Sequence, residues 1–132
     1  MFEIDPGALD GQHDDAELPG DVAVMGITIV RSNCQVLFQL PIDELCFGRR
    51  DASHGVFPHL DLTNDGAAEA GVSRNHVKVY QKGNRIFVED IGSINGTFLD
   101  SRRLIPHRPY PLREGSTLQL GKLQLLVEFG KL

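Results

Sequence analysis

Near its end the chain alternates: Leu123, Leu125, Val127 and Phe129 fall on one face of an extended segment, Gln124 and Glu128 on the other. A period of two belongs to a strand, because successive side chains of a strand point to opposite sides of the sheet. The same texture recurs upstream in short pieces. Gly26 to Val30 reads as a first strand, Asn33 marks a turn, Val36, Phe38 and Leu40 alternate along a second, and Leu45-Cys46-Phe47 runs into Gly48-Arg49. Val77 to Tyr80 and Ile86 to Val88 flank a Gly83-Asn84 turn. Phe98-Leu99 follows a turn-rich stretch from Asp90 to Thr97, and Leu118 and Leu120 precede the last strand. No stretch holds a long helical apolar period. Short β-branched and aromatic strands with turn residues at close intervals imply an all-β sandwich or barrel, with its loops gathered at two ends.

A chain of 132 residues is a prior for one domain and buries roughly two-thirds of its unfolded surface, so it needs neither metal nor disulfide to fold. Its charge is uneven. Residues 1–21 hold seven acidic residues and no Lys or Arg, whereas the rest hold eleven acidic and thirteen basic ones. An acidic tail, residues 1–24, therefore precedes a body, residues 25–132, that is close to neutral. The tail, rich in Asp, Gly, Pro and Ala, has too little apolar periodicity to repay the entropy of ordering, and reads as flexible. This balance argues against nucleic-acid binding. No run reaches membrane-spanning length and the acidic start does not resemble a signal peptide, so a cytoplasmic protein with no membrane partner is expected. Cys34 and Cys46 have no His partners at metal spacing and read as buried thiols, with no metal and no cofactor. Residues 1–27 contain no Ser, Thr or Tyr, so this segment offers no phosphorylation site of its own.

Residues 50–72 interrupt the strand rhythm. They form a long loop in which Ala67-Ala68-Glu69-Ala70 is expected to make one helical turn. A loop of that length is usually functional or mobile. Two readings stay open: it shapes a binding pocket beside Ser73, or it packs Val56, Leu60 and Leu62 against the edge of the fold.

Three loop segments stand at the ends of the expected strands: Phe47-Gly48-Arg49, then Val72-Ser73-Arg74-Asn75-His76, then Asp90 to Leu99 with Gly92-Ser93-Ile94-Asn95-Gly96-Thr97 at its centre. Leu112 to Gly121, with Leu112, Gly115, Leu118, Leu120 and Gly121 spaced just before the last strand, closes the series. In order and together, over roughly residues 26–129, these resemble the forkhead-associated (FHA) family. The resemblance implies a β-sandwich of about eleven mostly antiparallel strands, FHA/SMAD-like. It further implies a non-catalytic signalling adaptor that binds phosphothreonine-containing protein or peptide prepared by an upstream Ser/Thr kinase. Arg49 and Ser73 are similar to residues that contact the phosphate, Arg74 to a second basic contact, and Asn95 to an asparagine that bonds the peptide backbone. His76 resembles a structural histidine, and Gly48, Gly96 and Thr97 resemble loop-shaping positions.

Each of these residues also has an ordinary reading when taken singly. Arg49 suits a solvated strand end, Ser73 a turn, and Asn95-Gly96 a hairpin turn, since both types tolerate left-handed backbone angles. The chemistry nevertheless fits an anionic ligand. A phosphothreonine carries between one and two negative charges and three strong acceptors; Arg offers a planar fork for paired hydrogen bonds, Ser a compact donor, and Asn both a donor and an acceptor for backbone. One departure from the resemblance is Ile94, which stands where many members carry Thr or Ser and has no side-chain donor. Ser93 is a candidate to compensate, and Arg50 is expected to be a solvated neighbour. Ile94 keeps an alternative alive, an FHA-fold scaffold that binds an unphosphorylated partner. No catalytic triad, carboxylate pair, metal cluster or nucleotide loop is legible.

Overall fold

A computed structural model describes residues 16–131. Eleven strands form two sheets: β1 Val24–Ile29, β2 Cys34–Gln39, β3 Glu44–Gly48, β4 Leu60–Asp61, β5 Asn75–Lys82, β6 Arg85–Asp90, β7 Thr97–Leu99, β8 Arg102–Arg103, β9 Tyr110–Leu112, β10 Thr117–Leu120 and β11 Leu123–Gly130. One sheet runs β2-β1-β11-β10-β7-β8 and the other β4-β3-β5-β6-β9. Every pair is antiparallel except β3 with β4, which is parallel. The all-β sandwich expected from the alternation is what the chain forms.

The core lies between the sheets and follows the period-two pattern. Leu123, Leu125 and Val127 of β11 point inward while Gln124 and Glu128 face solvent; Met25, Ile27 and Ile29 do the same on β1, and Val77, Val79, Ile86 and Val88 oppose them from the second sheet. The β1–β11 register sets Ile27 opposite Val127 and Ile29 opposite Leu125, so inward residues face inward residues across the pair. A one-residue slip would turn all of them outward, which is why the pairing is tightly specified. Between β5 and β6 the Gly83-Asn84 turn holds Gly83 at φ 61°, a left-handed angle suited to a two-residue hairpin.

Three short strands were not foreseen. β4 and β8 have two residues each, too few for any periodicity to register, and β9 contains Pro111. Pro111 is tolerated because β9 is the edge of its sheet, where a missing N–H breaks no inner ladder. The two cysteines differ from expectation. Cys34 is exposed and Cys46 only half-buried, both as free thiols; Cys34 shares the face of Val36 and Phe38 but is the first residue of the edge strand β2, where an apolar-looking neighbourhood in sequence does not translate into burial.

Of the segment read as a tail, residues 1–15 lie outside the described residues. Residues 16–23 rest on the sandwich. Ala16 is buried, the Leu18 N–H donates to Asn84 O at 2.7 Å, and the Ala23 N–H donates to Gly130 O at 2.8 Å. Glu17 and Asp21 pair with Arg85 and Lys131 at 3.8 and 2.7 Å. Among the described residues no helix is long and apolar enough to cross a membrane, and no group of acidic, His and Cys side chains is arranged to hold a metal ion.

The 50–72 loop is itself a folded layer. Leu60, Leu62, Ala67, Ala70 and Val72 are buried in the core, and the Ala70 N–H donates to Gly66 O at 3.0 Å, the single helical turn expected there. Asp61 caps the segment, accepting from Thr63 and from the Arg50 backbone and pairing with the Arg50 guanidinium at 3.1 Å. Arg50 is thus turned to the outer side of the loop.

Candidate functional site

The β3–β4, β4–β5 and β6–β7 connections meet at one end of the sandwich. The first contact is backbone on backbone. At the β3 end the Arg49 N–H donates to Ser73 O and Arg74 O at 3.2 and 3.0 Å, which pulls the two loops together. Gly48 permits this approach: a Cβ there would sit 1.9 Å from Arg74 O. The Arg49 Nε–H donates to Val72 O at 3.1 Å, so its guanidinium is aimed by the next loop rather than left to swing in solvent.

Two buried polar residues carry the frame. His76, fully buried at the start of β5, accepts the Ser73 N–H at Nδ1 (2.9 Å), and its Nε2–H donates to Gly96 O (2.9 Å). A single neutral tautomer therefore staples the Ser73 loop to the Asn95 loop. Burial pushes the His76 pKa down, against the smaller opposing effects of Gly96 O and Asp90. Asp90, at the end of β6, takes the N–H groups of Gly92 and Ser93 on one oxygen and the hydroxyls of Ser93 and Thr97 on the other. Burial acts to raise its pKa, but those donors outweigh it and hold the carboxyl below the ordinary range. Ser93 is thereby committed: its Oγ donates to Asp90 and accepts from the Gly96 N–H at 3.0 Å. It does not substitute for the hydroxyl that Ile94 lacks. Gly96 turns at φ 88° to bring its carbonyl to His76, an angle that costs glycine little.

Above this frame opens a cleft of about 890 Å³. Arg49, Ser73, Arg74 and Asn95 all line it, and so do Asp51, His54, Val56 and Ile94. The Ser73 Oγ accepts from the Ile94 N–H at 3.1 Å, which leaves its own proton to donate outward. Asn95 spends one side-chain N–H on Gly71 O at 3.0 Å, and its amide oxygen carries no protein partner among the described residues. Gly71 lies so close beneath that a Cβ would meet the Asn95 Nδ2 at 2.6 Å. Ile94 projects from the wall, 84% exposed.

Asp51 was not foreseen as part of this site. Its Oδ2 meets Arg74 Nη1 at 3.0 Å and His54 Nδ1 at 2.8 Å, and its Oδ1 accepts from Ser53 Oγ at 2.7 Å. The Ser53 hydroxyl first, then Arg74 and His54, hold its carboxyl far below the usual range. The local signal was present, since Asp-x-Ser is a common side-chain-to-turn bonding pattern, but nothing local points Asp51 at Arg74. Asp90, followed by Gly92 and Ser93, carries a similar turn signal. Val56 lines the cleft while Leu60 and Leu62 enter the core, so the long loop does both things its sequence left open. Chemically, the cleft sets two guanidiniums, a hydroxyl donor and a carboxamide around one open space, a donor set suited to a tetrahedral anion on an extended chain.

The FHA domain family model matches residues 45–121, more than half of the chain. The chain is 35% identical over 75 residues to Protein FraH of Nostoc sp., an alignment covering 57% of this chain and 26% of that protein. It is 41% identical over 54 residues to the probable E3 ubiquitin-protein ligase dma1 of Schizosaccharomyces pombe, covering 38% of this chain and 20% of that protein. The match thus spans about a quarter or less of those curated relatives. In structure the chain is similar to the FHA domain of an Arabidopsis thaliana hypothetical protein, with a TM-score of 0.67 at 24% identity, covering 81% of this chain and 86% of that one. An FHA domain solved in work on phosphothreonine-dependent FHA domain interactions superposes with a TM-score of 0.64 at 22% identity, covering 83% and 99%. These structural likenesses establish the fold.

Proposed function

This chain belongs to the FHA domain family of non-catalytic adaptor modules, and on that premise we propose that it binds phosphothreonine-containing segments of other proteins in a Ser/Thr kinase pathway. The observation that carries the reading is the convergence of Arg49, Ser73, Arg74 and Asn95 on one cleft, from three separate loops. Arg49 supplies charge from a fixed direction, its Nε–H anchored to Val72 O. Ser73 donates its hydroxyl proton to a phosphate oxygen. Asn95 offers its amide oxygen to a backbone N–H beside the phosphoresidue. A similar fold was solved in work on phosphothreonine-dependent interactions, which supports the choice of ligand.

The test is calorimetric titration with an oriented phosphothreonine peptide pool, with unphosphorylated and phosphoserine pools alongside and Arg49→Ala as the control protein. Micromolar binding that needs the phosphate and disappears in Arg49→Ala is the expected result. A folded protein that shows no phosphate-dependent binding overturns the reading. It would favour the second one, a scaffold for an unphosphorylated partner, for which the exposed Ile94 side chain at the cleft wall speaks.

A further inference from the structure

The cleft contains its own anion. Of the two guanidiniums that line it, that of Arg49 is anchored to the Val72 carbonyl at 3.1 Å, whereas that of Arg74 is held by the Asp51 carboxylate at 3.0 Å. We propose that Asp51 is an internal counter-ion that occupies Arg74 in the absence of ligand and yields it to the ligand's phosphate, so that Asp51 sets how tightly this cleft binds. The inference rests on the phosphothreonine reading above and goes beyond it by naming the residue that competes with the ligand.

Four observations carry it. Asp51 is rigidly placed: its backbone bridges to Val56, with N–H to O contacts of 3.0 and 2.9 Å in the two directions, and Gly55 closes the turn at φ 70°. The carboxylate does not depend on Arg74, because Ser53 Oγ and His54 Nδ1 of the same turn remain bonded to it at 2.7 and 2.8 Å. Arg74 is the movable member, its side chain 46% exposed against 21% for Asp51. Finally, Asp51 and Arg74 both line the cleft with Ser73 and Arg49, so an arriving phosphate and the carboxylate compete for the same cation. A phosphate bearing nearly two charges is the stronger partner for a guanidinium than a carboxylate bearing one. Exchange therefore runs toward the ligand, but each binding event must first break the Asp51–Arg74 pair.

The experiment compares wild type, Asp51→Asn, Arg74→Ala and the double variant. Two probes are used: the phosphothreonine peptide pool by calorimetry, and N-acetyl-phosphothreonine methylamide by NMR shift perturbation. Asn preserves the size of the Asp51 side chain and its acceptor toward Ser53. Ser53→Ala, which weakens the turn without touching Arg74, serves as a control for loop damage. Asp51→Asn is expected to tighten phosphate-dependent binding about tenfold, Arg74→Ala to weaken it, and the double variant to keep less than a twofold gain over Arg74→Ala. Ser53→Ala is expected to give no such gain. Wild-type binding with no gain in Asp51→Asn overturns this inference alone, as does a gain that persists undiminished without Arg74. Binding of neither probe to any variant overturns the phosphothreonine reading and this inference with it.

Discussion

Replacing His76 with leucine tests whether one buried imidazole holds the two ligand-facing loops in register. Leucine nearly matches the volume but makes neither of the 2.9 Å bonds to the Ser73 N–H and Gly96 O. The Gly96 carbonyl keeps the Gly121 N–H at 3.0 Å and loses one bond, about 1 kcal/mol, whereas the part-buried Ser73 amide is left without its acceptor, about 1–3 kcal/mol. The added apolar burial of leucine returns about 1 kcal/mol. The net loss is therefore about 1–3 kcal/mol, a fall in the urea midpoint of roughly 0.5–1.5 M for a slope near 2 kcal/mol/M. Acid adds a second signature. Because burial depresses the His76 pKa, the unfolded chain binds more protons than the folded one as pH falls below the unfolded value of about 6.5. Stability from the neutral ring is full above that pH and is lost progressively as pH falls toward the folded value. Urea titrations at pH 7.5 and pH 5 should show this loss in wild type and a smaller one in His76→Leu. Phosphopeptide affinity should fall at least tenfold in the folded variant, because Ser73 and Asn95 lose their common staple. A variant with an unchanged midpoint, unchanged pH slope and unchanged affinity would refute the reasoning.

Two further substitutions separate frame from contact. Asp90→Ala removes the acceptor of two backbone amides and two hydroxyls and should cost about 3 kcal/mol by chemical denaturation. Since the Asp90 pKa is lowered in the fold, its stabilisation is present above the unfolded value near 3.9 and lost as pH falls through the folded one; the variant should unfold less steeply in acid than wild type, as followed by circular dichroism. Ile94→Thr restores a hydroxyl at an 84% exposed position on the cleft wall and should tighten phosphopeptide binding by roughly 2- to 10-fold; calorimetry showing weaker binding would mean that the isoleucine itself contacts the ligand.

Much of the architecture was legible because it rests on local periodicity. Strands β1, β2, β5, β6 and β11 are long enough for alternation to declare itself, and the burial of their apolar side chains follows it, with Gly26 and His76 as buried exceptions. The gathering of Arg49, Ser73, Arg74 and Asn95 was reached by resemblance, not by periodicity, because residues separated by some twenty positions carry no local mark of proximity. The occupancy of their atoms was beyond either route. Whether Ser93 faces the cleft depends on where Asp90 sits one turn earlier, and whether Arg74 is available depends on a carboxylate 23 residues away.

By itself, then, the sequence determined the all-β class, the core face of each long strand, the turn at Gly83-Asn84 and the three loop motifs. These are consequences of side-chain period and backbone preference within a few residues. Only the tertiary structure decided that Cys34 is exposed on an edge strand, that Leu60 and Leu62 fold a long loop into the core, and that Asp51 shares the cleft with Arg74. Each of those depends on which strand lies at an edge and which loops meet at an end, and strand order is a property of long-range pairing that no short window of residues contains.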